Sequence, residues 1–402
     1  MSIEGPIQMS PSGLVFYYDT FNEKSYKGQP TTNVASNPLD LFAWCTSGAN
    51  SATLSRDTST LPSPIGGVPM KMTTTGNDAY TNTYSSSPWN LNAASQGQVW
   101  TMSVWAKANR NLTCELFLFE ANSSPSYYIN FSTVGISVTT EWQRFTLSRT
   151  NTEAATAYIQ VRLDGPNSYT AGDIVWWDGL QVEQKPHATQ FTAGTRSNTN
   201  GLVDLTGTTT PNLTNTKFDS NATIDFPINA SANSYITTNT NCGLTGDQTL
   251  TAWIKPTYGT ASPHRTVICT DASYQYGIKL MNYKNYARWG LWVGWGSSNY
   301  EALTTTDINN NQWKMITGTW KQSTGIVTLY LNGAYVTQFS TGNTSAISLN
   351  TGNIWVGMGY EIDFGNGQSY EGKIDSAAIY NRTLTADEVL QNYNSVKSRF
   401  GL

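Results

Sequence analysis

The sequence predicts an all-β fold, two antiparallel β-sandwich domains with a short C-terminal helix, on three observations. Charged residues make up 12% of the 402 positions, about half the ~25% of ordinary globular chains. Aromatics also reach 12%, and much of the remainder is Thr, Ser, Asn and Gly, residues that favour strands and turns over helices. Short apolar and alternating runs recur along the whole chain between turn clusters, which is the pattern of a sandwich.

In chain order, strands are predicted in GLVFYYD at 13–19, QVWTMSVWAKA at 98–108, LTCELFLFEA at 112–121, ATAYIQVRL at 155–163 and DIVWWDGLQVE at 173–183. The second half of the chain repeats the pattern with TLTAWIKP at 249–256, RWGLWVGWG at 288–296, WKMITGTWK at 313–321, IVTLYLNGAYVTQFS at 326–340 and NIWVGMG at 353–359. Asn332-Gly333, flanked by alternating apolar residues, is the strongest short hairpin signal in the chain. Only one segment reads as a helix. Thr385 and Glu388 form a capping box, and Val389, Leu390, Tyr393 and Val396 follow at helical spacing.

Composition also excludes. With 23 Lys plus Arg against 27 Asp plus Glu, a net charge of −4 and no basic run, the chain lacks the clustered cations that attach proteins to nucleic acid. No stretch approaches the ~18 apolar residues of a membrane span, and MSIEGPIQMSPSG lacks a basic then apolar leader. Synthesis in a cytosol without membrane insertion is the expectation. Cys45, Cys114, Cys242 and Cys269 show no CxxC spacing, and His187 and His264 alone could join them; they are expected as small core residues, with no zinc site and no cofactor.

Three segments carry a family resemblance. GDQTLTAWIKPT at 246–257, WKMITGTWKQSTGIVTLYLNGAYV at 313–336 and YEGKIDSAAIYNRTLTADEVLQNYN at 370–394 resemble, in that order, the concanavalin A-like (laminin G-like) jelly roll. Trp177-Asp178-Gly179-Leu180-Gln181-Val182-Glu183, then Ala188-Thr189-Gln190-Phe191, with the strands at 100–108 and 141–148, is similar to carbohydrate-binding-module-like jelly rolls. The opening GLVFYYDTFNEKSYKG at 13–28 resembles the first strand of concanavalin A-like phage proteins, whose next landmark, here Asp204-Leu205-Thr206-Gly207, arrives only after the module. The resemblance therefore implies an arm and first strand at 1–36, an inserted module at 37–192, a linker at 193–215 rich in Thr, Asn and Gly, and the second jelly roll at 216–402. A tandem arrangement behind an N-terminal arm is the alternative.

Catalytic signals are weak. Glucanases of this fold place acids on alternate residues of one strand; Glu361-Ile-Asp363 is the nearest match and has no third acid after it. Neither histidine lies in a nucleophile or metal motif. The expectation is a non-enzyme. For binding, sugars call for aromatic faces beside hydrogen-bonding side chains, and Tyr283, Tyr286, Trp289, Trp292 and Trp295 crowd into thirteen residues, with strand alternation dividing them between a core face and the opposite one. Adjacent Trp176 and Trp177 must likewise point oppositely. Asp178 and Glu183 lie where similar modules sometimes hold structural calcium.

Together these features lead to a bacteriophage virion surface protein, a fibre or tail-associated adhesin with lectin-like domains. Its expected partners are other virion proteins and host glycans, and it is expected to be a homo-oligomer held through sandwich faces, since heptads are absent. A purely architectural capsid decoration or tail component, and a polysaccharide hydrolase using Glu361 and Asp363, are the competing readings.

Overall fold

A computed structural model describes residues 9–43, 45–47, 52–59, 63–76, 82–85, 91–123, 128–165, 170–219, 223–226, 234–257, 264–283, 288–308, 310–359 and 368–402. It is all-β with one α-helix among the described residues, and divides into two compact units, residues 1–29 with 198–402, and residues 30–197.

The first unit is a two-layer sandwich. One layer orders the strands Lys217–Phe218, Ile224–Phe226, Gly372–Tyr380, Gln248–Pro256, Lys314–Lys321, Ile326–Leu331 and Ala334–Ser340, and Leu14–Asp19 also pairs with Gly372–Tyr380. The other orders Pro211–Thr214, Tyr235–Thr238, Trp355–Val356, His264–Cys269, Ile278–Tyr283, Arg288–Gly294 and Asn299–Leu303. Alternation sets the faces: Leu250, Ala252 and Ile254 enter the core between the layers, while Trp253 points the other way. Phe16 and Tyr18 of the first strand are fully buried in that core.

The hairpin at Asn332-Gly333 joins Leu331 directly to Ala334 across the ladder, both turn residues having positive φ (50° and 80°), as a type I′ turn requires. Helix Ala386–Val396 begins at the Thr385–Glu388 capping box and covers the outer face of the first layer, where Val389 and Val396 pack with Trp253, Met315 and Tyr380. Its buried stripe differs from expectation at one position. Leu390 is 44% exposed, and Asn392 is buried instead, donating to Tyr380 Oη (3.0 Å) and accepting from Ser10 N (2.9 Å).

The second unit is also a sandwich. One layer orders Tyr128–Val138, Leu112–Ala121, Tyr158–Asp164, Asn82–Ser85 and Cys45–Ser47, with Asn92–Ala93 beside Tyr158–Asp164; the other orders Gln143–Thr150, Val99–Ala108, Ile174–Glu183, Met70–Thr74 and Ala52–Arg56. Trp100, Met102, Leu116, Leu118 and Trp177 fill the space between them. Trp177 is fully buried, and Trp176 lies half-buried on the outer face. The stretch 193–215, expected as a linker, contributes two strands: Thr195–Arg196 pairs with Thr31–Thr32, closing the second unit, and Pro211–Thr214 belongs to the first. Cys114 and Cys269 are buried free thiols and Cys242 is a half-buried one.

Asp375 marks a built-in sensitivity to pH. A bulge in the Gly372–Tyr380 ladder, Trp253 facing Ser376 and Ile254 facing Ile374, leaves Asp375 without a cross-strand partner. It is fully buried, accepts from Thr20 Oγ1 at 2.8 Å, and leaves its other oxygen unbonded. Burial first, then the nearby Asp19 carboxylate, pushes its pKa from 3.8 up to about 7. The folded state therefore keeps a proton that the unfolded chain releases, so stability falls as pH rises from about 4 to about 7 and is level above that. Thermal unfolding of the first unit is expected to be higher at pH 5 than at pH 8 by about 1–3 kcal/mol, and Asp375→Asn should flatten that slope; an unchanged slope in the variant would exclude Asp375 as its source.

Candidate functional site

The residues expected to form a sugar platform do not come together as one. Trp289 is fully buried in the first unit's core beside Leu291 and Val293. Trp292 and Tyr283 turn to the opposite face but are also buried, packed with Met281, Tyr274 and Leu303. Neither face thus opens these rings to solvent. Trp295 is half-buried, edge-on to Trp320 at 5.9 Å, with Nε1 donating to Ser345 O (3.2 Å). Tyr286, Glu361 and Asp363 lie outside the described residues.

Asp178 and Glu183, expected as calcium ligands, are each engaged by protein donors. Gly179 (φ 61°) and a ladder irregularity between Asp178 and Gln181 shift the alternation, so that two residues five apart share the outer face. Asp178 accepts from Gly179 N and from the Ser63 hydroxyl. Glu183 accepts from Thr31 Oγ1 (2.8 Å), Gln181 Nε2 (2.6 Å), Thr189 N (2.8 Å) and Thr189 Oγ1 (2.9 Å). Calcium takes six to eight oxygens; Glu183 already accepts four protein donors and Asp178 two, and among the described residues no three His, Cys, Asp or Glu side chains cluster for a metal.

A different aromatic site stands on the second unit. In Leu112–Ala121 the even positions Cys114, Leu116 and Leu118 enter the core, which forces Phe117 and Phe119 to the outer face. Their rings stack at 5.6 Å and 7°. On the neighbouring strand Phe131 faces Phe119 in register and lies 5.6 Å from it, and Tyr128 lies 5.1 Å from Phe119. Tyr128 is 54% and Phe131 44% exposed. On the other side Arg162 faces Phe117, its guanidinium 3.9 Å from the ring centroid, and pairs with Asp164 at 2.8 Å. Burial pushes the Asp164 carboxyl up to about 7 against the opposing pull of Arg162. Gln160 faces Phe119 in register and adds an amide to this face, while Asn130, opposite Glu120, donates through Nδ2 to Glu153 Oε1 at 2.8 Å.

The row is braced from beneath. Glu120, fully buried next to Phe119, takes two bonds from the Arg149 guanidinium, and Arg149 Nη1 reaches Ser132 Oγ (2.9 Å), beside Phe131. Thr152 N (3.0 Å), Glu153 N (3.0 Å) and Thr156 Oγ1 (2.5 Å) complete the Glu120 shell. Burial opposes its charge, but these donors outweigh it and hold the carboxyl below its ordinary range. The signal for this site was present in LTCELFLFEA, a strand apolar on both faces although only one face can meet the core of a two-layer sandwich.

Fold and exposed aromatic row define the class, a two-layer β-sandwich protein with an open aromatic sheet face. The family model of the concanavalin A-like lectin/glucanases superfamily matches residues 230–390. Comparison with curated proteins finds no match. Among solved structures, similarity extends to botulinum neurotoxin type C, described as interacting with two ganglioside molecules (15% identity, 50% of each chain, TM-score 0.41). It extends also to the binding domain of botulinum neurotoxin serotype D (18% identity, 48% of this chain and 49% of that one, TM-score 0.38). A third is domain 4 of AbnA, a GH43 extracellular arabinanase from Geobacillus stearothermophilus, in complex with arabinotriose (18%, 47% and 91%, 0.38). The chain spans about half the length of the neurotoxin structures it matches. At such scores the likeness assigns neither ligand nor activity.

Proposed function

We propose that the chain is a non-catalytic, lectin-like protein that binds glycans through the second unit's aromatic row, and that it serves as a virion surface adhesin of the kind its opening strand resembles. The observation that carries the binding reading is the exposure of Tyr128 and Phe131 on a row already stacked with Phe117, Phe119 and Arg162. Flat apolar faces held rigidly beside amide, guanidinium and carboxylate groups match the C–H faces and hydroxyls of a sugar. The match of residues 230–390 to a lectin and glucanase family supports the same class.

On an array of bacterial and animal glycans the protein is expected to bind a restricted set. Tyr128→Ala with Phe131→Ala should weaken that binding by about tenfold to a hundredfold while leaving thermal unfolding nearly unchanged, because both rings are exposed. No binding to any glycan, together with recovery of the protein in assembled particles, would instead favour the architectural reading, with the row as a protein contact.

A further inference from the structure

The outer face of the other layer in the second unit, Gln143–Thr150, Val99–Ala108, Ile174–Glu183, Met70–Thr74 and Ala52–Arg56, combines indole rings with cations. Val175 and Trp177 enter the core, so Trp176 faces outward. In register it stands between Lys71 on one neighbouring strand and Lys107 on the other, and directly opposed residues share a face. One rung further, Trp105 stands between Asp178 and Arg144. Trp105, Trp142, Trp176, Lys71, Lys107 and Arg144 are all half-buried.

Four of the nine Lys and Arg of this unit have a carboxylate partner. Arg56 pairs with Asp40, Arg110 with Asp173, Arg149 with Glu120 and Arg162 with Asp164. Lys71 and Lys107 form no hydrogen bond or ion pair with the described residues. The half-buried Asp57 nearby is engaged by Ser59 and by Trp176 Nε1 (2.6 Å), and these hold it low more than Lys71 does. Asp178 is buried beneath the rung and bonded to Ser63 and Gly179. In a chain with only 23 Lys and Arg in 402 residues, two ammonium groups flanking one indole, with no ion pair among the described residues, form a distinct feature. Their strands are two ladder spacings apart, ~9.5 Å, the scale of a disaccharide.

We propose that this face binds an acidic polysaccharide, with Trp176 stacking on a sugar ring and Lys71 and Lys107 neutralising anionic groups on either side. The inference rests on the glycan reading for its ligand class but on a separate face, so the two fail independently. The full chain would be titrated with polygalacturonate, dextran sulfate and neutral dextran, following tryptophan fluorescence and affinity electrophoresis at low and high salt. The acidic polymers are expected to bind and perturb the fluorescence, less so as salt screens the charges, and dextran is not. Binding to only one acidic polymer would support the proposal and identify carboxylate or sulfate as the anion. Lys71→Gln with Lys107→Gln should weaken binding by about tenfold or more, Trp176→Ala should abolish the fluorescence change, and Tyr128→Ala with Phe131→Ala should leave both intact. Undiminished binding by the double lysine variant, failure of both acidic polymers, or equal affinity for a single-stranded polynucleotide would each overturn the proposal. The lysine positions are half-exposed, so that variant folds even if Trp176→Ala does not.

Discussion

A chain cut to residues 198–402 is expected not to fold, whereas residues 30–197 alone are expected to fold cooperatively. The first fragment carries every matched residue of the lectin-like family and most of its own strands, yet it lacks Leu14–Asp19, which pairs with Gly372–Tyr380 from Leu14 opposite Tyr380 to Asp19 opposite Ser376. Its loss uncovers the space filled by Phe16 and Tyr18, both 0% exposed, and by Tyr26. Truncating one buried aromatic costs ~3–5 kcal/mol, so losing two or three exceeds much of the ~5–15 kcal/mol that holds a domain together. Asp19 also supplies both oxygens to Arg399 at 2.7 Å, and its removal frees that cation. The complementary chain, with Gln29 joined to Asn198 through a linker of about four residues, should restore the fold, because Tyr26 already bridges Leu202 and Lys27 N donates to Gly201 O at 3.0 Å. Circular dichroism and urea unfolding of the three chains provide the measurement. A cooperative transition in 198–402 would show that the first strand is dispensable.

The fold was largely legible because it depends on local signals. Alternation located Leu112–Ala121, Ile174–Glu183 and Gln248–Pro256, the Asn-Gly pair located its hairpin, and Thr385 with Glu388 located the helix start. The site was far less legible. Aromatic density singled out Tyr283 to Trp295, but density does not separate a core face from an open one, and both faces of that strand pair are covered. Phe117 and Phe119 drew no notice in the continuous apolar run 116–119, and their partners Tyr128, Phe131 and Arg162 are joined to them only by cross-strand register. The surroundings of Asp178 and Glu183 were hidden for a related reason. A bulge at Gly179 is invisible in residue types, and the donors that saturate Glu183 include Thr31, 152 positions away.

Removing Arg149 is expected to destabilise the isolated second unit by ~3–5 kcal/mol, because it strands the Glu120 carboxylate in the core. Both side chains are nearly inaccessible (8% and 0% exposed), so water cannot replace the lost partner. The three donors Thr152 N, Glu153 N and Thr156 Oγ1 still favour the ionised Glu120 without the guanidinium, which makes neutralisation an incomplete escape. Arg149→Ala should therefore lower the urea midpoint strongly at pH 7. Arg149→Met combined with Glu120→Leu should be milder than Arg149→Ala, since it removes the charge along with its partner. The two variants also separate stability from function. Arg149 ties Ser132 to Glu120 directly under Phe131, and Glu120 fixes the turn whose Glu153 accepts from Asn130. The apolar double variant is thus expected to stay folded while its aromatic row loses register and glycan affinity. Unfolding free energies of residues 30–197, measured beside glycan binding of the full chain, would test both parts. Equal stability of Arg149→Ala and the parent would refute the buried charge, and full glycan affinity in the folded double variant would refute the bracing role.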